Sequence, residues 1–300
     1  MELGDEMTRN WFIAFIVLFG CFCPVLNAEI FPIGQGESVF GSTGIYVVED
    51  DESLIEIARE YGVGFNAIAN ANPRVDAFVP GEDTEVILPT SWIIPDVASQ
   101  KGIFINLSEM RLYYFFKNKE GSRLATFPIG IGSEGNDTPV GSYKIVEKIV
   151  GPSWYPPESI RKEKPELPAV VPPGPENPLG THAMRLSLRT YLIHGTHRPY
   201  GVGRRVSHGC IRLYPEHIPV LFELVPSGTT VTIIKQPVKV GSRNNRVYIE
   251  VHNDETSPNF NYTQEAVQLL MKKKLLKKVN TARLYRAIKQ KSGFPVDISN

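Results

Sequence analysis

Residues 191–213, YLIHGTHRPYGVGRRVSHGCIRL, hold the most informative chemistry in this 300-residue chain. The segment 191–193 predicts a short strand that ends at His194, and Cys210 follows sixteen residues later. This spacing allows a return loop, so we expect the histidine and the cysteine to meet at the ends of neighbouring strands.

A cysteine with a histidine beside it is a pair suited to acyl transfer. A free thiol has a pKa of about 8.5, and an imidazole can take its proton and hold the thiolate as an ion pair. Gly209 leaves room for a close turn before Cys210. The consecutive backbone N–H groups of these two residues predict an oxyanion hole. Arg212 offers a planar guanidinium suited to a substrate carboxylate.

The motif resembles the signature of the L,D-transpeptidase catalytic domain, in which a His-Gly pair precedes Ser-His-Gly-Cys-Ile-Arg. The likeness extends to residues 138–143 (TPVGSY), to the proline-rich stretch before the strand, and to residues 228–231 (GTTV). It covers residues 100–236, which we assign to a catalytic domain.

The resemblance implies a role for each matching residue. Cys210 would be the nucleophile and His194 the general base, oriented by the backbone carbonyl of Gly195. The pocket would be completed by Ser207, His208, Gly209 and Arg212. No cofactor and no metal are implied. His197 stands where many members have asparagine, which affects the fit of the substrate more than the chemistry.

The rest of the catalytic segment is rich in strand patterns. Residues 102–107 and 110–116 predict paired strands, and residues 125–131 and 141–146 continue the sheet. We therefore predict a mainly β fold with α+β parts, in which an antiparallel sandwich or barrel forms the catalytic domain. Residues 152–178 hold nine of the 24 prolines and predict either a lid or a surface linker.

A smaller unit precedes the catalytic segment. Residues 45–90 predict the order strand, helix, helix, strand, with one apolar helical face in residues 54–61 and a second short helix over 65–71. The unit resembles a LysM module through its Tyr-Val-Val strand, its Asn-Pro helix end and its closing Leu-Pro. That resemblance implies binding to the glycan of peptidoglycan; a generic βααβ domain without a ligand is the alternative.

The two ends of the chain differ in character. Residues 1–28 contain an uncharged apolar run from 10 to 28 and predict a cleaved signal peptide, hence a periplasmic protein, with a retained anchor as the alternative. Cleavage would leave Cys210 as the single cysteine. Residues 237–300 predict a partly helical, basic extension, since residues 261–300 carry nine Lys or Arg against two acidic residues.

Composition excludes several classes of protein. Apolar residues make up 42% of the chain, which excludes wholesale disorder, and 32 basic residues balance 32 acidic ones, which gives no reason to expect nucleic acid. The G-x-G-x-x-G at 130–135 is followed by turn residues, not by a helix, so we expect no nucleotide site. Three histidines lie outside the motif and are interpreted as surface or packing residues: His182, His217 and His252.

The resemblance to the L,D-transpeptidase family, together with the predicted signal peptide, implies an exported peptidoglycan L,D-transpeptidase. As in that family, it would act through a cysteine thioester on tetrapeptide stems and either form 3-3 cross-links or attach a lipoprotein to peptidoglycan. The alternatives are an L,D-carboxypeptidase and a non-catalytic cell-wall-binding protein. A papain-like protease would place its cysteine before its histidine, whereas here His194 comes first. Zinc held by His194, His208 and Cys210 would quench the nucleophile.

Overall fold

The computed structural model describes residues 30–34 and 36–300, so the predicted signal peptide, residues 1–28, lies outside the described residues. In the described part of the chain, no helix combines the length and the apolar character that crossing a bilayer would require.

The N-terminal segment forms short strands and two helices. Their bounds are β1 Ile30–Pro32, β2 Val39–Gly41, β3 Gly44–Val47, α1 Leu54–Glu60, α2 Phe65–Ala71, β4 Glu85–Leu88 and β5 Ser91–Ile93. Helix α1 begins where the Glu56 carboxylate accepts hydrogen bonds from the backbone N–H and the hydroxyl of Ser53, at 3.0 and 2.6 Å. Strands β3 and β4 pair antiparallel. Residues 44–88, here called the module, thus have the expected order of strand, helix, helix and strand.

The middle of the chain is mainly β. Its elements are β6 Gly102–Asn106, β7 Arg111–Asn118, β8 Gly121–Pro128, β9 Ile131–Gly132, β10 Gly141–Val150, α3 Glu158–Glu163, β11 His182–Leu186, β12 Leu192–His194, β13 Arg205–Ser207, β14 Ile211–Arg212, α4 His217–Leu224 and β15 Thr230–Ile234. Nine strands form one sheet in the order β1-β8-β7-β6-β15-β10-β11-β12-β14.

The direction of two strand pairs corrects the antiparallel prediction. Strand β15 runs parallel to β6, and β14 runs parallel to β12, so the sheet is mixed. The alternation of apolar residues indicates a strand, but the direction of its partner depends on long-range connections that the local pattern does not contain. Gly130, just beyond β8, exchanges two backbone hydrogen bonds with Arg212 at 2.8 and 2.9 Å and so ties one end of the sheet back to the other.

Both faces of the sheet are buried. Ile103 and Ile105 face a core that also contains Ile218 and Leu221 of α4. Between them, Phe104 points to the other face, where a second core includes Leu54 and other apolar residues of the module. The module therefore packs directly against one face of the nine-stranded sheet.

The C-terminal segment is a small αβ unit. Its elements are β16 Val238–Arg243, β17 Arg246–Val251, α5 Tyr262–Lys272, α6 Thr281–Gln290 and β18 Val296–Asp297. Both helices were expected, but the three-stranded sheet β16-β17-β18 was not. Helices α5 and α6 share a separate apolar core with β16 and β17. Asn261 and Asn280 cap them, each accepting a hydrogen bond from a backbone N–H three residues later.

A buried ionic cluster joins the three segments. Lys239 Nζ donates to the backbone carbonyl of Ile93 at 2.9 Å, to Glu109 at 2.6 Å and to Glu250 at 2.8 Å. It also lies 3.0 Å from the hydroxyl of Tyr113. His252 Nε2 contacts the Glu250 carboxylate at 2.7 Å. His252, expected to be an ordinary packing residue, is therefore part of a polar cluster that spans β5, the β6–β7 turn and the C-terminal unit.

Candidate active site

Strands β12 and β14 bring the histidine and the cysteine to one place. Their parallel register sets Ile193 opposite Ile211 and His194 opposite Arg212, and Cys210 immediately precedes β14. Because side chains alternate along a strand, His194, Cys210 and Arg212 share one face of the sheet. The predicted return loop therefore has the geometry that the sixteen-residue spacing suggested.

His194 is held as a neutral imidazole in one tautomer. Its side chain is buried, and Nδ1 lies 2.6 Å from the carbonyl oxygen of Gly195. A carbonyl only accepts, so Nδ1 carries the proton and Nε2 keeps its lone pair. Burial, and then the charge of Arg212, lower the pKa of His194 to about 3. The imidazole is thus unprotonated at neutral pH, as a general base must be.

Cys210 is a free, partly exposed thiol at the start of β14. Its Sγ lies 3.6 Å from the carbonyl oxygen of Thr190. Burial raises the pKa of the thiol, although a backbone hydrogen bond from Leu192 and the charge of Arg212 oppose that rise. Together with the lowered pKa of His194, this favours a neutral thiol and a neutral imidazole at rest. Both shifts oppose a thiolate–imidazolium pair in the free protein.

The turn before the cysteine is braced by Ser207. Its hydroxyl donates to the carbonyl of Cys210 at 2.6 Å and accepts from the N–H of Gly209 at 3.1 Å. Gly209 has φ +97°, and a Cβ there would lie 2.6 Å from the ring of Tyr191, so only glycine fits. The Gly209 N–H was predicted to be an oxyanion donor, but it is already bonded to the Ser207 hydroxyl. The N–H of Cys210 therefore remains as the candidate oxyanion donor.

Thr138 supports the same turn, although the sequence analysis did not name it as a site residue. Its buried hydroxyl donates to the carbonyl of Gly209 at 2.8 Å and accepts from the N–H of Gly132 at 3.1 Å. The Thr-Pro-x-Gly-x-Tyr likeness was the signal that could have identified it. Thr138 therefore anchors the residue that precedes Cys210.

Arg212 is a half-buried cation. Among the described residues its buried Nε has no hydrogen-bond partner, and burial lowers the pKa of the guanidinium. His197 Nδ1 is likewise buried without a hydrogen-bond partner. A guanidinium with an unsatisfied Nε, two residues from a thiol, favours binding of an anionic group, because a carboxylate would satisfy both the charge and the free donor.

The proline-rich segment reaches the catalytic turn. His208, which is exposed, lies with its Nε2 3.4 Å from the Glu163 carboxylate at the end of α3. The stem of the segment is ordered, since the buried amide of Asn177 donates to the carbonyls of Pro152 and Pro172 at 2.8 and 3.0 Å. These contacts favour the prediction of a lid over that of a linker.

The described residues offer one set of three metal-ligand side chains: Glu109, Glu250 and His252. Lys239 already lies between the two carboxylates and neutralises charge there, so the cluster is satisfied without an ion. The zinc alternative that combined His194, His208 and Cys210 does not form such a set within these residues. At the G-x-G-x-x-G, strand β9 leads into a turn and no helix begins.

Comparison with known proteins agrees with this geometry. The model of the L,D-transpeptidase catalytic domain (YkuD) matches residues 100–233. The chain is 38% identical to the probable L,D-transpeptidase YbiS of Escherichia coli strain K12, and the match covers 97% of this chain and 98% of that protein. The probable L,D-transpeptidase YcfS of the same strain is 42% identical over 72% of this chain and 70% of its own length.

A third relative, the probable L,D-transpeptidase ErfK/SrfK of Salmonella typhimurium strain LT2, is 35% identical, with 96% of both chains covered. The likenesses to YbiS and ErfK/SrfK cover nearly the whole chain, so they include the module and the C-terminal unit as well as the nine-stranded sheet. The chain belongs to the L,D-transpeptidase family.

Proposed function

We propose that this protein is an exported L,D-transpeptidase that acts on peptidoglycan stem peptides through a thioester on Cys210. The observation that carries the proposal is the state of His194. Its Nδ1 donates to the Gly195 carbonyl, which leaves Nε2 able to accept a proton. The His194 side chain lies on the face of the sheet that also holds Cys210 and Arg212. In the described structure no hydrogen bond yet joins imidazole and thiol, and substrate binding would align them.

In the proposed reaction the thiol proton passes to His194 Nε2 as Sγ attacks the carbonyl carbon. The attacked bond joins diaminopimelate to the terminal D-alanine of a tetrapeptide stem. The Cys210 N–H would donate to the developing oxyanion. The tetrahedral intermediate then expels D-alanine, whose amine takes the proton from the imidazolium. An acceptor amine attacks the thioester next, passes a proton through His194, and releases the thiol.

Arg212 supplies the proposed recognition of the donor. The terminal carboxylate of the tetrapeptide would pair with its guanidinium, whose buried Nε has no hydrogen-bond partner in the part of the chain that the structure describes. The acceptor defines the product. Another stem would give a 3-3 cross-link, a lipoprotein lysine would give a wall-attached lipoprotein, and water would make the enzyme a carboxypeptidase.

The flanking segments receive roles in the same proposal. Residues 1–28 would direct export to the periplasm. The LysM-like unit predicted over residues 45–90, which corresponds to the module, would bind glycan strands of peptidoglycan. The basic, partly helical extension over residues 237–300 follows the catalytic domain of residues 100–236.

The test is incubation of the protein with purified disaccharide tetrapeptides, followed by mass analysis of both protein and products. We expect an acyl-enzyme on Cys210 that has lost D-alanine, and cross-linked dimers among the products. Tripeptides alone would indicate the carboxypeptidase. A β-lactam adduct on Cys210 would argue against a non-catalytic wall-binding protein. Absence of both adduct and product, with Cys210 reduced, would refute the proposal.

A further inference from the structure

The loop that carries Cys210 touches the module on both sides of the cysteine. Upstream, residues 202–204 contact the start of helix α2. Downstream, residues 214–217 contact the end of helix α1 and the turn after it. The two contact regions enclose Cys210, so displacement of the module would move both flanks of the proposed nucleophile.

The upstream contact is made by main chain. Helix α2 begins after Gly64 and has no side-chain cap. Its first free N–H groups, those of Phe65 and Asn66, donate instead to the carbonyls of Val202 and Gly203 at 3.3 and 3.2 Å. The catalytic loop therefore provides the hydrogen-bond acceptors that a capping side chain normally supplies to a helix.

This contact is possible because the two backbone segments meet at Gly64 and Gly203, which have no side chains. A Cβ at Gly64 would lie 2.8 Å from the Cα of Gly203, which is too close to accommodate without movement of one backbone. Gly64 itself has φ −85° and ψ 152°, which any residue can adopt. Substitution of Gly64 by alanine therefore separates module from loop without straining the backbone at the substituted position.

The downstream contact is an ion pair. Arg59 donates through Nε and Nη2 to the two carboxylate oxygens of Glu216 at 2.9 and 3.0 Å, and this hydrogen bonding raises the pKa of Arg59. The hydroxyl of Tyr214, a buried residue, donates to the carbonyl of Val63 at 3.1 Å. Tyr214 and Glu216 lie two and four residues after the end of β14, so their contacts with the module hold the segment that follows the strand that Cys210 precedes.

We infer that the module is a positioning element for the active site, in addition to any binding of glycan. Helix α2 and the Arg59–Glu216 pair hold the loop so that Cys210 faces His194; the inference rests on the proposed role of Cys210. A module that served only as a tether would contact the sheet without engaging both flanks of the nucleophile. An error of about 1 Å in the position of a reacting group can lower a rate by about 100-fold.

The first test compares Gly64→Ala with Gly44→Ala in the full chain. Gly44 lies in the same module, and a Cβ there would meet only Leu88 at ordinary contact distances of 3.8 and 3.9 Å. We expect Gly64→Ala to lower kcat on a soluble tetrapeptide about 10- to 100-fold with KM within about threefold of wild type. Gly44→Ala should stay within twofold. Equal kcat for both variants and wild type would overturn the inference.

The second test is charge exchange at the ion pair. Arg59→Glu and Glu216→Arg should each lower kcat about tenfold, and the double variant should recover most of the loss. Arg74→Glu, at an exposed residue of the module, is the control for charge alone. If both single variants are impaired and the double variant recovers nothing, the pair does not act by holding module and loop together.

Alkylation of Cys210 by iodoacetamide provides a readout that needs no transpeptidation. We expect the alkylation rate of Gly64→Ala to differ at least threefold from that of wild type. The alkylation rate of the charge-exchanged double variant should equal the wild-type value. If wild type fails to turn over the tetrapeptide, the proposed function fails, whereas an altered alkylation rate still supports positioning. Unchanged alkylation and unchanged kcat in folded variants would refute positioning while leaving the proposed function intact.

Discussion

Replacement of Thr138 by valine tests whether the anchored turn before Cys210, the proposed nucleophile, supports activity. Valine has nearly the same shape but no hydroxyl, so the buried carbonyl of Gly209 and the N–H of Gly132 both lose their partner. Each unpaired buried group costs about 1–3 kcal/mol. We therefore expect the free energy of unfolding to decrease by about 2–6 kcal/mol. Because Gly209 adjoins Cys210, we also expect kcat to fall about 10- to 100-fold.

The assay combines denaturant unfolding, followed by fluorescence, with turnover of a soluble tetrapeptide at a temperature where the variant stays folded. Thr138→Ser is the matched control, because it keeps the hydroxyl and loses one methyl group. The serine variant should retain most of the stability and activity. A valine variant within about 0.5 kcal/mol of wild type in stability, and within twofold in kcat, would refute the anchoring argument.

Four further predictions follow from the site and the ionic cluster. Cys210→Ala should abolish turnover without loss of secondary structure by circular dichroism, since only the nucleophile is removed; activity within tenfold of wild type would contradict its role. Arg212→Lys should lower kcat/KM on the tetrapeptide about 10- to 100-fold but leave alkylation of the cysteine by a small neutral reagent nearly unchanged; equal loss in both assays would indicate a bracing role instead. The free energy of unfolding should decrease as pH falls from about 6.5 towards 4. Burial lowers the pKa of His194 to about 3 and that of His217 to about 4, so in this pH range the unfolded state binds protons that the folded state does not. Denaturant titrations at several pH values check the direction of the change. Lys239→Met should lower the free energy of unfolding by about 3–5 kcal/mol, because two buried carboxylates lose their cation. A loss of about 1 kcal/mol or less would show that Lys239 does not stabilise the two carboxylates.

The catalytic motif could be predicted because its parts are close in sequence. His194 ends a predicted strand and Cys210 follows after a single loop, so the spacing predicts that the two residues meet. The helices of the module and of the C-terminal unit were predictable for the same reason, since a helical face is a local pattern. What the sequence did not indicate was that the Gly209 N–H is bonded to Ser207, because that depends on the shape of a single turn.

The C-terminal sheet was missed although a local signal existed. Strands β16 and β17 flank Asn244 and Asn245, both at positive φ, and an Asn pair between alternating apolar residues indicates a tight hairpin. The ionic cluster had no comparable signal. Lys239 and Glu250 are ordinary polar residues in sequence, and their burial follows only from contact with Glu109, which is more than 100 residues distant.

The mixed sheet lay beyond local reasoning for a related cause. Parallel pairing of β6 with β15 depends on how the chain returns after more than 120 residues, and nothing in either strand specifies it. The docking of the module on the loop is similar: Gly64 and Gly203 read as turn residues in isolation, and their contact appears only in three dimensions.

The position of β15 has a consequence for the time course of folding. This strand, Thr230–Ile234, lies between β6 and β10, so β6 and β10 are not hydrogen-bonded to each other. The two earlier strands can join one sheet only after β15, which is synthesised much later, has been inserted between them. Most of the chain must be synthesised before the sheet can close, and such distant pairing slows folding because a long loop must be ordered first. The late strand thus keeps the nascent chain from completing its sheet early, a property compatible with transport of an unfolded polypeptide across a membrane before it folds.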